Sequence, residues 1–108
     1  KDNTAAQYLF VRADYSLVKI ETDTIRYIEG RDDYVKIYFE HEKPLVTRMT
    51  IKNMLEKLPA NQFVRIHRSY IVALRSIESV RNKIVTIGDA RLPVGNSFEE
   101  NFLKHFNK

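Results

Sequence analysis

The chain has 108 residues, the length of one domain, and 44% of them are hydrophobic, which is enough for a buried core. Because it contains no cysteine, disulfide frameworks, zinc–thiolate sites and cysteine nucleophiles are excluded. The net charge is +4, with 18 basic and 14 acidic residues, so the composition is compatible with a partner that carries phosphate groups.

The first residues set expectations about the chain as a whole. Residues 1–7 are polar and lack the apolar stretch of a secretory signal, so we expect a linker or an expression remnant, followed by one domain over residues 8–108. The first residue is not methionine, which favours a segment of a longer protein. No apolar run approaches the ~18 residues that cross a membrane, and the sequence predicts a cytoplasmic domain without membrane contact.

From residue 8 onward, polar and apolar residues alternate with the period of half-buried strands. This alternation predicts strands at residues 8–12, 17–21, 24–28, 34–39 and 45–47. Short turns are expected at residues 14–16 and 40–44. Residues 29–33 contain one glycine and four charged side chains, which is typical of a polar loop.

The period changes after the fifth predicted strand. Apolar residues then follow the spacing of one helix face, at Ile51, Met54, Leu55 and Leu58. Thr50 precedes this stripe as an N-cap, and Pro59 ends the helix. We expect Leu55 to lie in the core.

Alternation resumes in the second half of the chain. It predicts strands at residues 63–67, 70–74, 76–80, 84–87 and 91–94, with turns at 81–83 and 88–90. A second helix is predicted to begin with a capping box between Ser97 and Glu100. Its apolar stripe consists of Phe98, Phe102, Leu103 and Phe106. The predicted fold class is therefore mainly β, with one internal and one C-terminal helix.

The sequence offers no pattern of catalytic or metal-binding chemistry. The three histidines do not have the spacing of metal ligands, and HExxH, GxGxxG and P-loop motifs are absent. We therefore expect neither an enzyme nor a cofactor or metal site. The residue pattern of an RNA-recognition motif and the paired helices of a helix-turn-helix are absent as well.

The positive charge is concentrated in one stretch of the chain. Residues 61–91 carry six basic and two acidic side chains, a net charge of +4, whereas the rest of the chain is balanced. Two interpretations stay open for this stretch, a solvated strand face or a surface that binds phosphates.

A short polar junction lies between two apolar runs in this stretch, at His67, Arg68 and Ser69. Arg68 can present a bidentate fork to guanine O6 and N7 or a charge to phosphate. Ser69 and His67 can donate hydrogen bonds to phosphate oxygens. The alternatives are a hydrogen-bonded structural histidine at 67 and an ordinary surface charge at 68.

Residues 63–72 resemble the signature of the LytTR DNA-binding domain family, the output domain of LytR/AlgR-type bacterial response regulators. In this family an aromatic and an aliphatic residue precede Arg-x-His, and a polar residue, Ser, an aromatic and two aliphatic residues follow. Three further segments are similar to the family, at residues 27–35, 48–59 and 92–97. The resemblance covers roughly residues 8–107, and the motifs are specific only in combination.

The resemblance implies an elongated arrangement of small antiparallel β-sheets that binds double-stranded DNA through loops, which enter successive major grooves. It implies base contacts by Arg68 and Asn96 and by Tyr34 or Lys36. It implies phosphate contacts by Arg31, Arg48, Lys52, His67 and Ser69. Two departures stand out, since many relatives have asparagine at the position of Ala73 and arginine near that of Asn96.

The resemblance also implies partners outside this chain. Relatives carry a separate N-terminal receiver, and phosphorylation of that receiver promotes dimerisation on paired half-sites. We therefore expect an N-terminal receiver or sensor domain and a homodimer on DNA. The alternative function is a β-rich protein-interaction or sensory module whose basic charge is incidental. A third option, single-stranded nucleic acid binding, requires exposed aromatics, for which Tyr34, Tyr38 and Tyr70 are the candidates.

Overall fold

The computed structural model describes residues 7–106. In that range the strands are β1 (Tyr8–Ala13), β2 (Ser16–Glu21), β3 (Ile25–Arg31), β4 (Tyr34–Phe39), β5 (Leu45–Arg48), β6 (Phe63–His67), β7 (Tyr70–Ala73), β8 (Ser79–Arg81), β9 (Ile84–Ile87) and β10 (Ala90–Pro93). The helices are α1 (Ile51–Lys57) and α2 (Asn96–Lys104). The predicted linker lies outside the described residues except for Gln7, and so do the last two residues of the predicted domain.

The strands form three antiparallel sheets. A central sheet has the order β5-β4-β3-β7-β6, β1 and β2 form an N-terminal hairpin, and a C-terminal sheet has the order β10-β9-β8. Short loops join sequential strands, which matches the turn signals in the sequence. The predicted fold class, mainly β with one internal and one C-terminal helix, is confirmed.

Each face of the central sheet contributes to a separate hydrophobic core. On one face, the sheet residues Ile28 and Ile71 pack with Leu9 of the hairpin and Met54 of α1. On the other face, Val64, Ile66 and Val72 pack with residues of the C-terminal sheet and with Phe102 of α2. The C-terminal ends of β3 and β6 thus lie between two packed layers, which holds the turns that follow these strands.

The first helix begins where the sequence predicts. The Thr50 hydroxyl accepts a hydrogen bond from the backbone N–H of Asn53 at 3.1 Å, as an N-cap does. Leu55 packs against the core that contains Met54, as expected, but its side chain is only half-buried. Met54 is the fully buried residue of α1, at 0% exposure.

The second helix begins two residues earlier than a Ser97 cap requires. Its N-cap is Gly95, which makes no side-chain hydrogen bond, and the Phe98 N–H donates to the Gly95 carbonyl at 3.0 Å. The predicted capping box between Ser97 and Glu100 is therefore wrong. The start of the helix is fixed instead by a hydrogen bond from the Gly95 N–H to the Ile66 carbonyl at 2.7 Å. Only Phe102 of the predicted apolar stripe is buried; Leu103 and Phe106 are exposed.

The predicted loop at residues 29–33 is mostly strand. β3 continues to Arg31, which pairs directly with Tyr34, so only Asp32 and Asp33 form the turn. Gly30 suggested a turn, but its role is close packing. A Cβ at Gly30 would lie 2.8 Å from the Cβ of Ile51, because α1 crosses the strand here.

Strand ends near the C-terminal sheet also differ from the prediction. The predicted strand at residues 76–80 is replaced by a 3₁₀ turn at Leu74–Ser76 and by β8. The turn after β8 consists of Asn82 and Lys83, whose positive φ angles of 52° and 62° are those of a two-residue hairpin turn.

Candidate nucleic-acid interface

Three segments that the sequence singles out meet at one edge of the central sheet. The Gly30 N–H donates to the Ser69 carbonyl at 2.7 Å, which joins the end of β3 to the turn between β6 and β7. The Gly95 N–H donates to the Ile66 carbonyl at 2.7 Å, which joins the start of α2 to the end of β6. The structure therefore brings together three regions that lie far apart in the chain.

Side chains hold the turn between β6 and β7. The Ser69 N–H donates to Nδ1 of His67 at 3.0 Å, and the two rings of His67 and Tyr70 lie 5.5 Å apart. Because Nδ1 accepts this bond, the neutral His67 ring carries its proton on Nε2, which can donate to a ligand. His67 is thus a hydrogen-bonded structural histidine through Nδ1. Its Nε2 makes no hydrogen bond to residues 7–106.

Arg68 occupies the exposed part of this turn. Within residues 7–106 its guanidinium takes part in no ion pair, whereas Arg31 and Arg48 both do. Arg68 and Ser69 line an open depression together with Arg31 and with Ile51 of α1. Lys52 is exposed in the first turn of α1 and follows Ile51 in the chain.

Arg31 and Arg48 flank the turn between β3 and β4. The Nε of Arg31 lies 3.5 Å from a carboxylate oxygen of Glu29, and Nη2 of Arg48 lies 3.1 Å from one of Asp33. The arginine side chains are 81% and 75% exposed. Ion pairs this exposed contribute about 0–1 kcal/mol, so both guanidinium groups can exchange a carboxylate for another anion.

Tyr34 and Lys36 lie on the face of β4 opposite to the buried Val35 and Ile37. Tyr34 is 47% exposed, with the Arg48 guanidinium 6.0 Å from its ring centroid. The Lys36 ammonium lies 5.3 Å from the ring of Tyr38, which in turn stacks on Tyr27 with 4.3 Å between centroids. Of the three tyrosines considered for stacking on bases, Tyr34 is exposed, and both Tyr38 and Tyr70 are half-buried.

Asn96 is the exposed first residue of α2, and it has a partner that sequence reasoning missed. The Lys83 ammonium donates to its side-chain oxygen and lies 3.4 Å from a carboxylate oxygen of Glu99. The Lys83 carbonyl accepts from the Val94 N–H at 2.8 Å, which ties the β8–β9 turn to the chain before α2. Charge alone marked Lys83 in the sequence, and no local pattern indicated its contact with Asn96.

The basic stretch at residues 61–91 does not form one surface. Arg68 and Lys83 lie at the candidate interface, and Arg65 binds main-chain oxygens of the turn that carries Arg68. Arg75 follows the opposite end of β7, where its Nη2 donates to the carbonyls of Asp23 and Ile25. Net charge along a segment does not say to which end of a strand each side chain belongs.

Two tyrosines behind the interface have altered acidity. Burial raises the pKa of Tyr27 to about 12, and the neighbouring Tyr38 and Glu29 act in the same direction. Burial, followed by the Glu29 carboxylate, also raises the pKa of Tyr70. Both hydroxyls are therefore neutral donors at physiological pH.

The raised pKa of Tyr27 predicts a loss of stability at alkaline pH. The unfolded chain, with the ordinary value of 10.0, releases this proton before the folded protein does. The stabilisation is complete below pH 10 and is lost as the pH rises toward about 12. In urea titrations over this range, we expect Tyr27→Phe to lose less unfolding free energy than the wild type. Tyr15→Phe, at a fully exposed position, is the control, and equal losses in all three proteins would contradict this expectation.

Other kinds of site were searched for in the same range. Among residues 7–106, His, Asp and Glu side chains form no group of three or more that could hold a metal ion. None of the helices there is long and apolar enough to cross a membrane.

The chain is similar to proteins of one kind. The family model described as LytTr DNA-binding domain matches residues 15–107. The sensory transduction protein LytT of Oceanobacillus iheyensis is 32% identical over 72 residues, which is 67% of this chain and 29% of the relative. A response regulatory protein of Vibrio cholerae is 29% identical over 91 residues, which is 77% of this chain and 35% of the relative. The chain thus spans about a third of the length of these relatives.

A solved structure has the same fold. It is the LytTr DNA-binding domain of a response regulator from Bacillus cereus, with a TM-score of 0.77 and 19% identity. The likeness covers 94% of this chain and 97% of that one. The matched family consists of DNA-binding domains and not of enzymes. With a family match over nearly the whole chain and the same fold, the protein belongs to the LytTr DNA-binding domain family.

Proposed function

We propose that this chain binds double-stranded DNA sequence-specifically, through the three segments that meet at one edge of the central sheet. The observation that carries this function is the pair of main-chain hydrogen bonds that join Gly30 to Ser69 and Gly95 to Ile66. These bonds hold exposed polar side chains from distant parts of the chain on one rigid support. Rigid presentation of donors is what discrimination between base edges requires.

Arg68 and Asn96 are the proposed readers of base edges, with Tyr34 or Lys36 as a third. The fork of Arg68, which takes part in no ion pair within residues 7–106, matches the two acceptors of guanine in the major groove. The Asn96 side-chain oxygen already accepts from Lys83, which leaves its amide N–H groups as donors for a base acceptor. This arrangement favours bases that present acceptors at that position.

Five side chains are the proposed phosphate contacts: Arg31, Arg48, Lys52, His67 and Ser69. The two arginines are highly exposed cations at the turn between β3 and β4, and Lys52 is an exposed cation in the first turn of α1. His67 and Ser69 offer the ring Nε2–H and the hydroxyl. Contacts of this type fix the position of a protein on the duplex without specifying sequence.

The shape of the interface favours loops entering the major groove over a recognition helix. α1 has seven residues and buries Met54 against the central sheet. α2 has nine residues and buries Phe102, so only its first turn reaches the interface. In this proposal the loops enter successive major grooves, as the resemblance to the family implies.

The relatives suggest the wider context of this activity. Both the Vibrio cholerae and Bacillus cereus relatives are described as response regulators. We extend this description to the present chain, as the output domain of a transcriptional regulator that acts in the cytoplasm on the bacterial chromosome. A receiver or sensor domain N-terminal to this segment and dimerisation on paired half-sites are part of the same proposal.

The salt dependence of DNA binding tests this function. Three of the five proposed phosphate contacts are cations, Arg31, Arg48 and Lys52, so the expected slope of log K against log salt is about −2.7, at about −0.9 per neutralised phosphate. Lys52→Met is expected to make this slope shallower by about 0.9 on any duplex. Lys43→Met is the matched control, since Lys43 is exposed in the turn after β4, at the end of that strand opposite to Tyr34.

Two results would contradict the proposed function. One is the absence of duplex binding at low salt, which would favour a protein-interaction module. The other is preferential binding of single-stranded over double-stranded DNA of the same sequence, which would favour base stacking on Tyr34.

A further inference from the structure

The Arg65 side chain stabilises the turn between β6 and β7 by hydrogen bonds to its main chain. Its Nε donates to the main-chain oxygen of His67 at 3.2 Å, and its Nη2 donates to that of Arg68 at 2.6 Å. One planar guanidinium therefore binds two carbonyls of the same turn, with donors in a fixed geometry. Arg65 belongs to β6 and pairs with Ile71 of β7, so the fork is anchored on the central sheet.

The same guanidinium also contacts the first turn of α2. Its Cζ lies 5.4 Å from the ring centroid of Phe98, a distance at which a cation is attracted by an aromatic face. Phe98 lies two residues after Asn96. The residue after Arg65, Ile66, accepts the hydrogen bond from Gly95 that ties α2 to β6. Arg65 thus lies between the segment that carries Arg68 and the segment that carries Asn96.

We propose that Arg65 is a positioning residue for DNA recognition, which fixes the Arg68 turn relative to the first turn of α2. This role rests on the proposed function. Its Nε and Nη2 donate to main-chain oxygens, and its charge lies over the ring of Phe98. In this role Arg65 sets the spacing between the two base-reading side chains and does not itself contact DNA. Base contacts depend on such spacing, whereas non-specific attraction to phosphates does not.

The test uses Arg65→Met and Arg65→Lys with two duplexes, one selected from random sequence and one scrambled. Loss of a charged hydrogen-bonding group predicts a loss of about tenfold for the selected duplex with Arg65→Met. Affinity for the scrambled duplex, and its salt slope, are expected to stay within error. Arg65→Lys is expected not to restore specificity, because a point charge does not reproduce the planar fork.

Two controls accompany these variants. Arg75→Met is the matched control, since Arg75 also binds two main-chain carbonyls but at the opposite end of β7, and it should retain wild-type specificity. Phe98→Leu removes the ring against the guanidinium and leaves the fork, so it should cause a smaller loss of specificity. Phe98→Leu also keeps the test informative if Arg65→Met fails to fold.

A measurement without DNA separates this inference from the proposed function. In Arg65→Met, amide hydrogen exchange should accelerate at Ser69 and Gly95 and stay unchanged at Ile37, in the middle of β4. Unchanged exchange at Ser69 and Gly95 would overturn the positioning role while DNA binding stands. Equal losses on both duplexes, a slope shallower by about 0.9, or full rescue by lysine would assign Arg65 to phosphate contact instead. Absence of DNA binding by the wild type would overturn both proposals.

Discussion

Phe102→Ala is expected to lower the free energy of unfolding by about 3–5 kcal/mol. Phe102 is 1% exposed and packs against Val64, Val72 and the C-terminal sheet. Truncation removes buried apolar surface and leaves a cavity that the two sheets around it cannot close by collapse. Urea unfolding monitored by circular dichroism measures the change.

The neighbouring residue provides the control for this substitution. Leu103→Ala removes an aliphatic side chain from the same helix at a position that is 42% exposed, so we expect a change of about 0.5 kcal/mol or less. Equal destabilisation by the two substitutions would contradict the orientation of α2. Because α2 carries Asn96, Phe102→Ala should also weaken sequence-specific DNA binding before it unfolds the domain.

Arg68→Ala is expected to have the largest effect on DNA recognition. Loss of a bidentate contact to a base costs about 1–3 kcal/mol and relaxes specificity at that one base pair. This range corresponds to a loss of about 5- to 150-fold in affinity for the selected duplex. Fluorescence anisotropy with the selected duplex and its single-base variants measures both quantities.

Two further variants define what Arg68 contacts. Arg68→Lys keeps the charge but loses the fork, so it should retain affinity for the scrambled duplex and still lose discrimination. Arg75→Ala removes the same side chain at the opposite end of β7 and should leave binding unchanged. A uniform loss on all duplexes with Arg68→Ala would show that Arg68 contacts phosphate and not a base.

The regular elements could be predicted because their signals are local. In β2, alternation with Lys19 and Glu21 places Ile20 on the buried face, and the Thr50 cap and Pro59 bracket α1. The sequence prediction placed Gly30 in a loop, whereas it lies in β3 where α1 crosses the strand. The residues around a glycine do not distinguish a turn from a site of close helix packing. Similarly, the spacing that predicted a helical stripe does not say which of Met54 and Leu55 lies deepest, since that depends on the direction of the sheet beneath.

The candidate site was predictable only in part, for a related reason. The polar junction at His67, Arg68 and Ser69 was recognisable because it is a local pattern between two apolar runs, and the structure has a turn there. The roles of Arg65 and Lys83 depend on contacts with main-chain oxygens and side chains far along the sequence, which no local pattern contains. The charge surplus at residues 61–91 was misleading at Arg75 because chain position does not report which end of the sheet a residue occupies.

NMR titration of this 108-residue chain with a selected DNA duplex tests the central claim most directly. We expect amide shift changes to concentrate at residues 30–36, 67–70 and 95–97, the three segments that meet at the edge of the central sheet. In contrast, the N-terminal hairpin, whose exposed Phe10 and Leu17 offer an alternative binding face, should stay unchanged. Shift changes confined to the hairpin, with the three segments unaffected, would contradict the assignment of the DNA-binding surface.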